Sequence, residues 1–324
     1  MTSGGTACYI CLPRQETVRE RVKLCLRAAA KVNLSLEVLG KREDGYHEII
    51  TVLQTVALWD RLTLEDSDTL DLRTTGETLP ADEGNLVWRA ATLLREAAGV
   101  DRGALMTLDK HIPIASGLGG GSSDAAATLW GLNRLWRLRW SAKRLCALAI
   151  QLGMDVPFFL WGGRALATGR GERLQRLRLV RGLALVLANP NTPLSTREVY
   201  GRAPATLRGD GSRTRALLAS LATGNPFNVA AALFNNLEDV VEPLCPVVPQ
   251  LKRALLHAGA LGVVMSGSGP TVVGLARSYD QARQIRNRIS RAPWSCWAVQ
   301  TLSGPAIQVM AGTNARLRRT PTGR

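Results

Sequence analysis

From Lys31 the chain alternates cleanly. Val32, Leu34, Leu36 and Val38 fall on one side of an extended strand, and Lys31, Asn33, Ser35 and Glu37 on the other. A polar turn over 41–45 ends in Asp44-Gly45 and leads into a second apolar strand that runs through Trp59. Asn85 is placed to cap a helix carrying Leu86, Ala90, Leu93 and Ala97, and 104–108 is a short strand. Ser141 caps a helix carrying Leu145, Leu148 and Leu152; Pro157 prevents its continuation and leaves Asp155 in an exit turn. The glycine-rich stretch 162–172 predicts a hairpin. The second half opens with a buried strand at 183–188 and a loop at 189–200. An Arg- and Gly-rich segment, 202–214, is expected to be mobile at the surface. Helices near 228–239 and 250–258, a strand at 262–265, a turn at 266–270, a strand at 271–276, a helix at 280–291 and a last strand at 297–302 follow. The order predicts an α+β fold in two domains, 22–175 and 176–312. Residues 1–21 are expected to be a poorly ordered extension and 313–324 a basic tail.

Between the strand at 104–108 and the next helix lies Pro113-Ile114-Ala115-Ser116-Gly117-Leu118-Gly119-Gly120-Gly121-Ser122-Ser123. Glycine permits positive φ and close approach, so successive N–H groups can converge on an anion, and a helix N-terminus adds its own partial charge. Ser122 or Ser123 can cap that helix, expected over 124–137. The spacing is neither a Walker A motif nor a dinucleotide fingerprint. A tight turn before a buried helix needs only one or two glycines.

Composition changes the picture in two respects. The formal charge is +15, and six of the 41 basic residues are Lys and 35 are Arg, so attraction to phosphates is allowed without choosing among nucleotides, nucleic acid and anionic lipid. The six cysteines form no regular framework and nothing N-terminal reads as secretory, which points to a reducing cytoplasm. Cys8 and Cys11 make a lone C-x-x-C without a second pair. The weakly polar run 255–276 is interrupted by Gly259, Gly262, Gly267, Gly269 and Pro270, so no membrane span is expected.

Four separated segments resemble the GHMP small-molecule kinases: Ala-Lys-Val-Asn-Leu (30–34), Asp-Gly-Tyr-His (44–47), the glycine loop with Gly-Met-Asp-Val-Pro (153–157), and Met-Ser-Gly-Ser-Gly-Pro-Thr (265–271). The resemblance spans roughly 22–310. It implies a ribosomal-protein-S5-domain-2-like N-terminal domain, a ferredoxin-like C-terminal domain and an active site in the cleft between them. It further implies ATP bound by Pro113 to Ser123, Mg²⁺ touched by the Ser123 hydroxyl, and Lys31 and Asp155 as the catalytic pair. Asp-Gly-Tyr-His beside Ala-Lys-Val-Asn points to the members acting on a cytidine diphosphate-linked methylerythritol, with Tyr46, His47 and Tyr200 at the cytidine and Asn33 and Thr196 as further substrate contacts. Two departures concern backbone shape: Ala29 stands where the family usually has Pro, and Ser116 where Gly or Ala is common.

Taken singly these residues have plainer readings. Lys31 fits a solvent-facing strand lysine, Asp155 a turn former, Tyr46 and Tyr200 half-buried aromatics, and His47 a surface histidine; His111 and His257 read as structural. Two rivals are a family member acting on mevalonate or homoserine, which needs no cytosine pocket, and a basic nucleic-acid-binding protein. The second rests on charge and fold analogy, and leaves Lys31, Asp155 and the glycine loop without a task.

Overall fold

The computed structural model describes residues 22–76, 79–178, 181–290 and 293–314. Residues 1–21, with Cys8 and Cys11, and most of the tail lie outside these. The first sheet opens with two long strands, β1 (Lys23–Lys41) and β2 (His47–Ser67), joined by the expected turn. In that turn Arg42 N–H donates to Tyr46 O, and Gly45 takes the left-handed backbone that a residue with a Cβ resists (φ +82°). Next come β3 (Leu70–Gly76), α1 (Leu86–Ala98) and β4 (Gly103–Lys110), where β3 and β4 run parallel and α1 is the crossover between them. Asn85 caps α1 by accepting from Val87 N–H, and the helix buries Val87, Ala90, Ala91 and Leu94.

After the glycine loop come α2 (Gly120–Leu135), α3 (Ala142–Leu152), α4 (Val156–Trp161) and the hairpin β5 (Arg164–Gly169) with β6 (Arg173–Arg176). The first sheet has the order β12-β1-β2-β4-β3, once the short β12 (Ile307–Val309) returns to pair with β1; β5 pairs with β2. A core of leucines and alanines from β1, β2, β4 and α1 to α4 fills the space beneath this sheet. Burying each such leucine contributes about 1.5–3 kcal/mol.

The second half begins with β7 (Ala184–Asn189) and continues through α5 (Thr196–Arg202), α6 (Ser212–Thr223), α7 (Pro226–Ala232), β8 (Phe234–Asn235), which pairs in parallel with β1 of the first sheet, α8 (Glu238–Val241) and α9 (Val247–His257). It closes with β9 (Gly262–Met265), β10 (Val272–Ala276), α10 (Tyr279–Ile289) and β11 (Ser295–Gln300). Its sheet has the order β11-β7-β10-β9, all antiparallel, so the four strands stand fourth, first, third, second; that is the split βαβ order of a ferredoxin-like layer. A third cluster contains Val32, Leu34 and Val52 of the first sheet with Leu185, Leu187, Val273 and Leu275 of the second. The two layers therefore share a core.

Several sequence expectations are corrected. From Ala28 to Val38 the strand β1 has no solvated face: Lys31, Asn33, Ser35 and Glu37 are all buried, because the second layer and the glycine loop cover the polar side. Helix α2 starts at Gly120, four residues before the expected 124, and its cap is Gly119 without any serine side chain. The segment 202–214 is docked. Gly209 N–H donates to Val38 O, and the buried Glu37 carboxylate accepts from Gly211 and Thr214 N–H, satisfying the N-terminus of α6. Asp155 lies in the expected turn after α3, but that turn leads directly into α4, with Pro157 in its first turn, where a missing N–H costs nothing.

Candidate active site

A cleft of about 940 Å³ runs between the glycine loop, the β1–β2 end and α5. Backbone accounting shows how the loop is held. Pro113 O accepts from the Ser116 hydroxyl (2.7 Å), Ala115 O from Leu194 N–H (3.1 Å), Ser116 O from Thr271 N–H (3.2 Å), Gly117 O from the Ser266 hydroxyl (2.9 Å) and Leu118 O from Lys31 N–H (2.9 Å). With its carbonyls engaged elsewhere, the loop has amides left to offer the cleft, together with those of the first turn of α2. Two glycines are there for space, and Gly119 also for its left-handed backbone (φ +69°). A Cβ on Gly119 would stand 3.0 Å from Lys31 Cγ and Cε, and one on Gly120 2.6 Å from Lys110 Nζ. Ser116, the family departure, is absorbed by its own bond to Pro113 O. Ala29 uses the N–H a proline would lack, donating to Ala306 O.

Lys31 lies at the middle of β1 with its Nζ 3.3 Å from Asp155 Oδ2, and it donates to Asn33 Oδ1 at 2.8 Å. The lysine side chain is 5% exposed and the aspartate 34%, so the pair sits at the floor of the cleft with its carboxylate still open to a ligand. Asn33 is oriented in turn by Thr51, whose hydroxyl accepts from Nδ2. A strand lysine and a residue between two helices, far apart in the chain, thus share one site.

At the other end of the cleft His47 and Tyr200 stand with ring centroids 5.3 Å apart. Burial, then the Lys41 charge, lowers the His47 pKa, which favours the neutral imidazole. Burial and the Asp155 charge push the Tyr200 phenol up. Tyr46 is exposed at the rim and its ring lies under the Arg170 guanidinium, 4.8 Å from the centroid. Thr196, at the start of α5, shares a 2.9 Å hydroxyl contact with Ser268 on the 266–270 turn.

The structure therefore brings Lys31, Asp155, Asn33, Tyr46, His47, Thr196, Tyr200, Pro113 to Gly117 and Gly119 to Ser122 to one cleft. Leu118 is fully buried in the core shared by the layers. Ser123 is also displaced from its expected role: its hydroxyl is fully buried and donates to Ala29 O at 2.7 Å, whereas Ser122 lines the cleft. One helical position separates the two, and the early start of α2 turns Ser123 inward.

Sequence reasoning missed a buried ionic trio beside the loop. Lys110 Nζ bonds Asp60 Oδ2 and, at 3.0 Å, Asp124 Oδ2. Asp60 Oδ1 also accepts from His111 N–H (2.6 Å) and Ile112 N–H (2.8 Å), while Asp124 Oδ1 has no partner. Burial pushes Asp124 up to about 7, with Lys110 opposing and Asp60 adding to the rise. Burial also works against the Lys110 charge, but the two carboxylates outweigh it and hold its pKa above the usual range. Carboxylates inside an apolar strand and an Ala-rich helix were the available signal. Arg170 was likewise missed, since one arginine among 35 has no distinguishing pattern.

The models for the N-terminal and C-terminal domains of the GHMP kinases match residues 85–163 and 207–296. A 4-diphosphocytidyl-2-C-methyl-D-erythritol kinase of Pelotomaculum thermopropionicum is 48% identical over 82% of this chain and 93% of its own length. The one of Symbiobacterium thermophilum is 46% identical, covering 84% and 98%. A crystal structure of 4-(cytidine 5'-diphospho)-2C-methyl-D-erythritol kinase, 39% identical, superposes with a TM-score of 0.76 over 87% of this chain and all of that one. A homoserine kinase of Cytophaga hutchinsonii reaches a TM-score of 0.72 at 21% identity, covering 90% and 98%, and speaks for the fold alone. With domain models, full-length relatives and the two-layer fold in agreement, the chain belongs to the GHMP kinases and, within them, to the 4-diphosphocytidyl-2-C-methyl-D-erythritol kinases.

Proposed function

We propose that the chain transfers the γ-phosphoryl group of ATP to the 2-hydroxyl of 4-diphosphocytidyl-2-C-methyl-D-erythritol, giving the 2-phosphate and ADP, a step in isoprenoid precursor synthesis. The observation that carries this is the Lys31–Asp155 pair, lying in one cleft between the glycine loop and the His47–Tyr200 wall. Phosphoryl transfer asks chiefly for positioning and charge neutralisation. The loop amides and the α2 N-terminus take the triphosphate. The His47 and Tyr200 rings, with Tyr46 at the rim, take the cytosine, and Asn33 and Thr196 contact the rest of the substrate. The substrate hydroxyl oxygen bonds to the γ-phosphorus as the bond to the ADP oxygen breaks; Asp155 accepts the hydroxyl proton and Lys31 offsets the phosphate charge.

Among the described residues no group of three or more His, Cys, Asp and Glu is placed to hold a metal ion. Mg²⁺ of a nucleotide complex needs few protein ligands, because phosphate oxygens and water supply most of its shell. Ser122 and Asp155, both on the cleft, are the residues that would hold it. When bound it would neutralise charge on the β- and γ-oxygens. The substrates are small molecules, and no nucleic acid is required. Among the described residues no helix is long and apolar enough to cross a membrane, and Cys25, Cys146, Cys245 and Cys296 are free thiols.

The direct test incubates purified protein with Mg-ATP and, separately, the cytidine substrate, mevalonate and homoserine, following ADP release. Release with the cytidine substrate alone is expected. Turnover of mevalonate or homoserine in its place would overturn the assignment.

A further inference from the structure

The glycine loop is oriented from the second layer. Leu194, Thr271 and Ser266 of that layer take the carbonyls of three consecutive loop residues, Ala115, Ser116 and Gly117. In a planar trans peptide the C=O of one residue and the N–H of the next point in opposite directions. Holding these three carbonyls therefore turns the amides of Ser116, Gly117 and Leu118 the other way.

Of the three donors, only Ser266 acts through a side chain, and it does more than one thing. It is fully buried, donates to Gly117 O at 2.9 Å and accepts from Asn33 N–H at 3.1 Å. Asn33 Oδ1 is the partner of Lys31 Nζ. A hydroxyl has one proton to give, and Gly117 O is better placed to receive it than Asn33 Oδ1, which lies 3.5 Å away. The packing at the joint is as tight as its bonding: a Cβ on Gly117 would fall 2.1 Å from Ser266 O, and one on Gly267 3.3 Å from Lys31 Nζ. One hydroxyl thus joins the second layer, the phosphate loop and the strand that carries the lysine.

We propose that Ser266 is a positioning residue for phosphoryl transfer: its hydroxyl registers the glycine loop against Lys31, so that the loop amides and the lysine charge meet the same phosphate only while the second layer is docked. Ser266 does not line the cleft, so it acts through Gly117 and Asn33. The inference rests on the reading of the loop as the triphosphate cradle and of Lys31 as the charge that offsets the transferred group. Ser266→Ala leaves a buried Asn33 N–H and a partly buried Gly117 C=O without their partner, and restoring the pairing requires moving the loop or the strand.

The test compares Ser266→Ala with Asn236→Ala. Asn236 makes a joint with the same strand away from the loop, accepting from Val38 N–H at 2.9 Å and donating to Val38 O at 3.2 Å. Steady-state kinetics, ADP binding by calorimetry and thermal midpoints are read on both variants and the wild type. Ser266→Ala should lower kcat about 10- to 100-fold, the scale of an ångström-sized misplacement, and raise KM for ATP and Kd for ADP several-fold, with a smaller rise in KM for the cytidine substrate that Asn33 contacts. Asn236→Ala should lower the thermal midpoint alone. Should Ser266→Ala not fold, Ser266→Cys keeps a donor at the position, weaker and larger than the hydroxyl, and should show the same loss of kcat and ADP affinity. Unchanged kcat and ADP affinity in a folded Ser266 variant, or the same losses in Asn236→Ala, would overturn the proposal. An inactive wild type would instead count against the functional reading, and ADP affinity would still decide the role of Ser266.

Discussion

Lys31 Nζ and Asp155 Oδ2 are 3.3 Å apart although one residue belongs to the first strand and the other to the junction of α3 and α4. The contact sets a nearly buried ammonium beside a carboxylate that remains open to the cleft. Lys31→Met should therefore depress kcat by about 10²-fold or more, with a smaller effect on the thermal midpoint. The double variant with Asp155→Asn should be little worse than the poorer single one, because residues acting on one proton and one phosphate are not additive. Multiplicative losses, measured on all three proteins, would show the two to act independently.

The two tyrosines should not be equivalent. Tyr200 is half-buried and faces His47, whereas Tyr46 is 53% exposed and carries Arg170 on its ring. Stacking a base on an aromatic ring contributes about 1–3 kcal/mol, so Tyr200→Ala should raise KM for the cytidine substrate roughly 5- to 150-fold, Tyr46→Ala less, and neither should alter KM for ATP. Equal damage to both KM values would indicate a structural role.

Asp124 predicts a pH dependence of stability. Its pKa is about 7 in the folded protein and about 4 in an unfolded chain. Between those values the folded state holds more proton than the unfolded state, so this group makes stability fall as pH rises through that window. Thermal midpoints of wild type and Asp124→Asn, compared from about pH 4 to about pH 7, should show the wild type losing stability relative to the variant as pH rises. A constant difference between the two would contradict the assignment of the proton to Asp124.

The charge of +15 offers a cheap check on the nucleic-acid alternative. Binding to duplex DNA at physiological salt should be weak. A sub-micromolar affinity falling steeply with salt would mean that several phosphates are neutralised on a built surface.

Much of this was legible in the chain because alternation and helical spacing report local geometry. The strand carrying Lys31 and Asn33, the capped helices at Asn85 and Ser141, and the glycine loop were all placed from residues that touch their own neighbours. What stayed hidden depends on partners far along the chain. The polar face of β1 reads as solvated until the second layer covers it, and Glu37 reads as a surface charge until α6 arrives to use it. Ser123 illustrates a finer limit: a helix beginning four residues early turns its hydroxyl from the cleft to Ala29 O. The ionic trio could not be assembled from spacing, because Asp60, Lys110 and Asp124 come from three different elements.

The central claim is that Asp155 accepts the proton of the substrate hydroxyl while Lys31 offsets the phosphate charge. Single-turnover measurement of phosphoryl transfer by Asp155→Asn, with ATP and the cytidine substrate both saturating, tests it most directly, since the substitution preserves shape and removes the base. The rate of the chemical step should fall by about 10²- to 10⁴-fold while ATP binding and the thermal midpoint stay close to wild type. A variant that keeps more than about a tenth of the wild-type rate in that step would contradict the assignment.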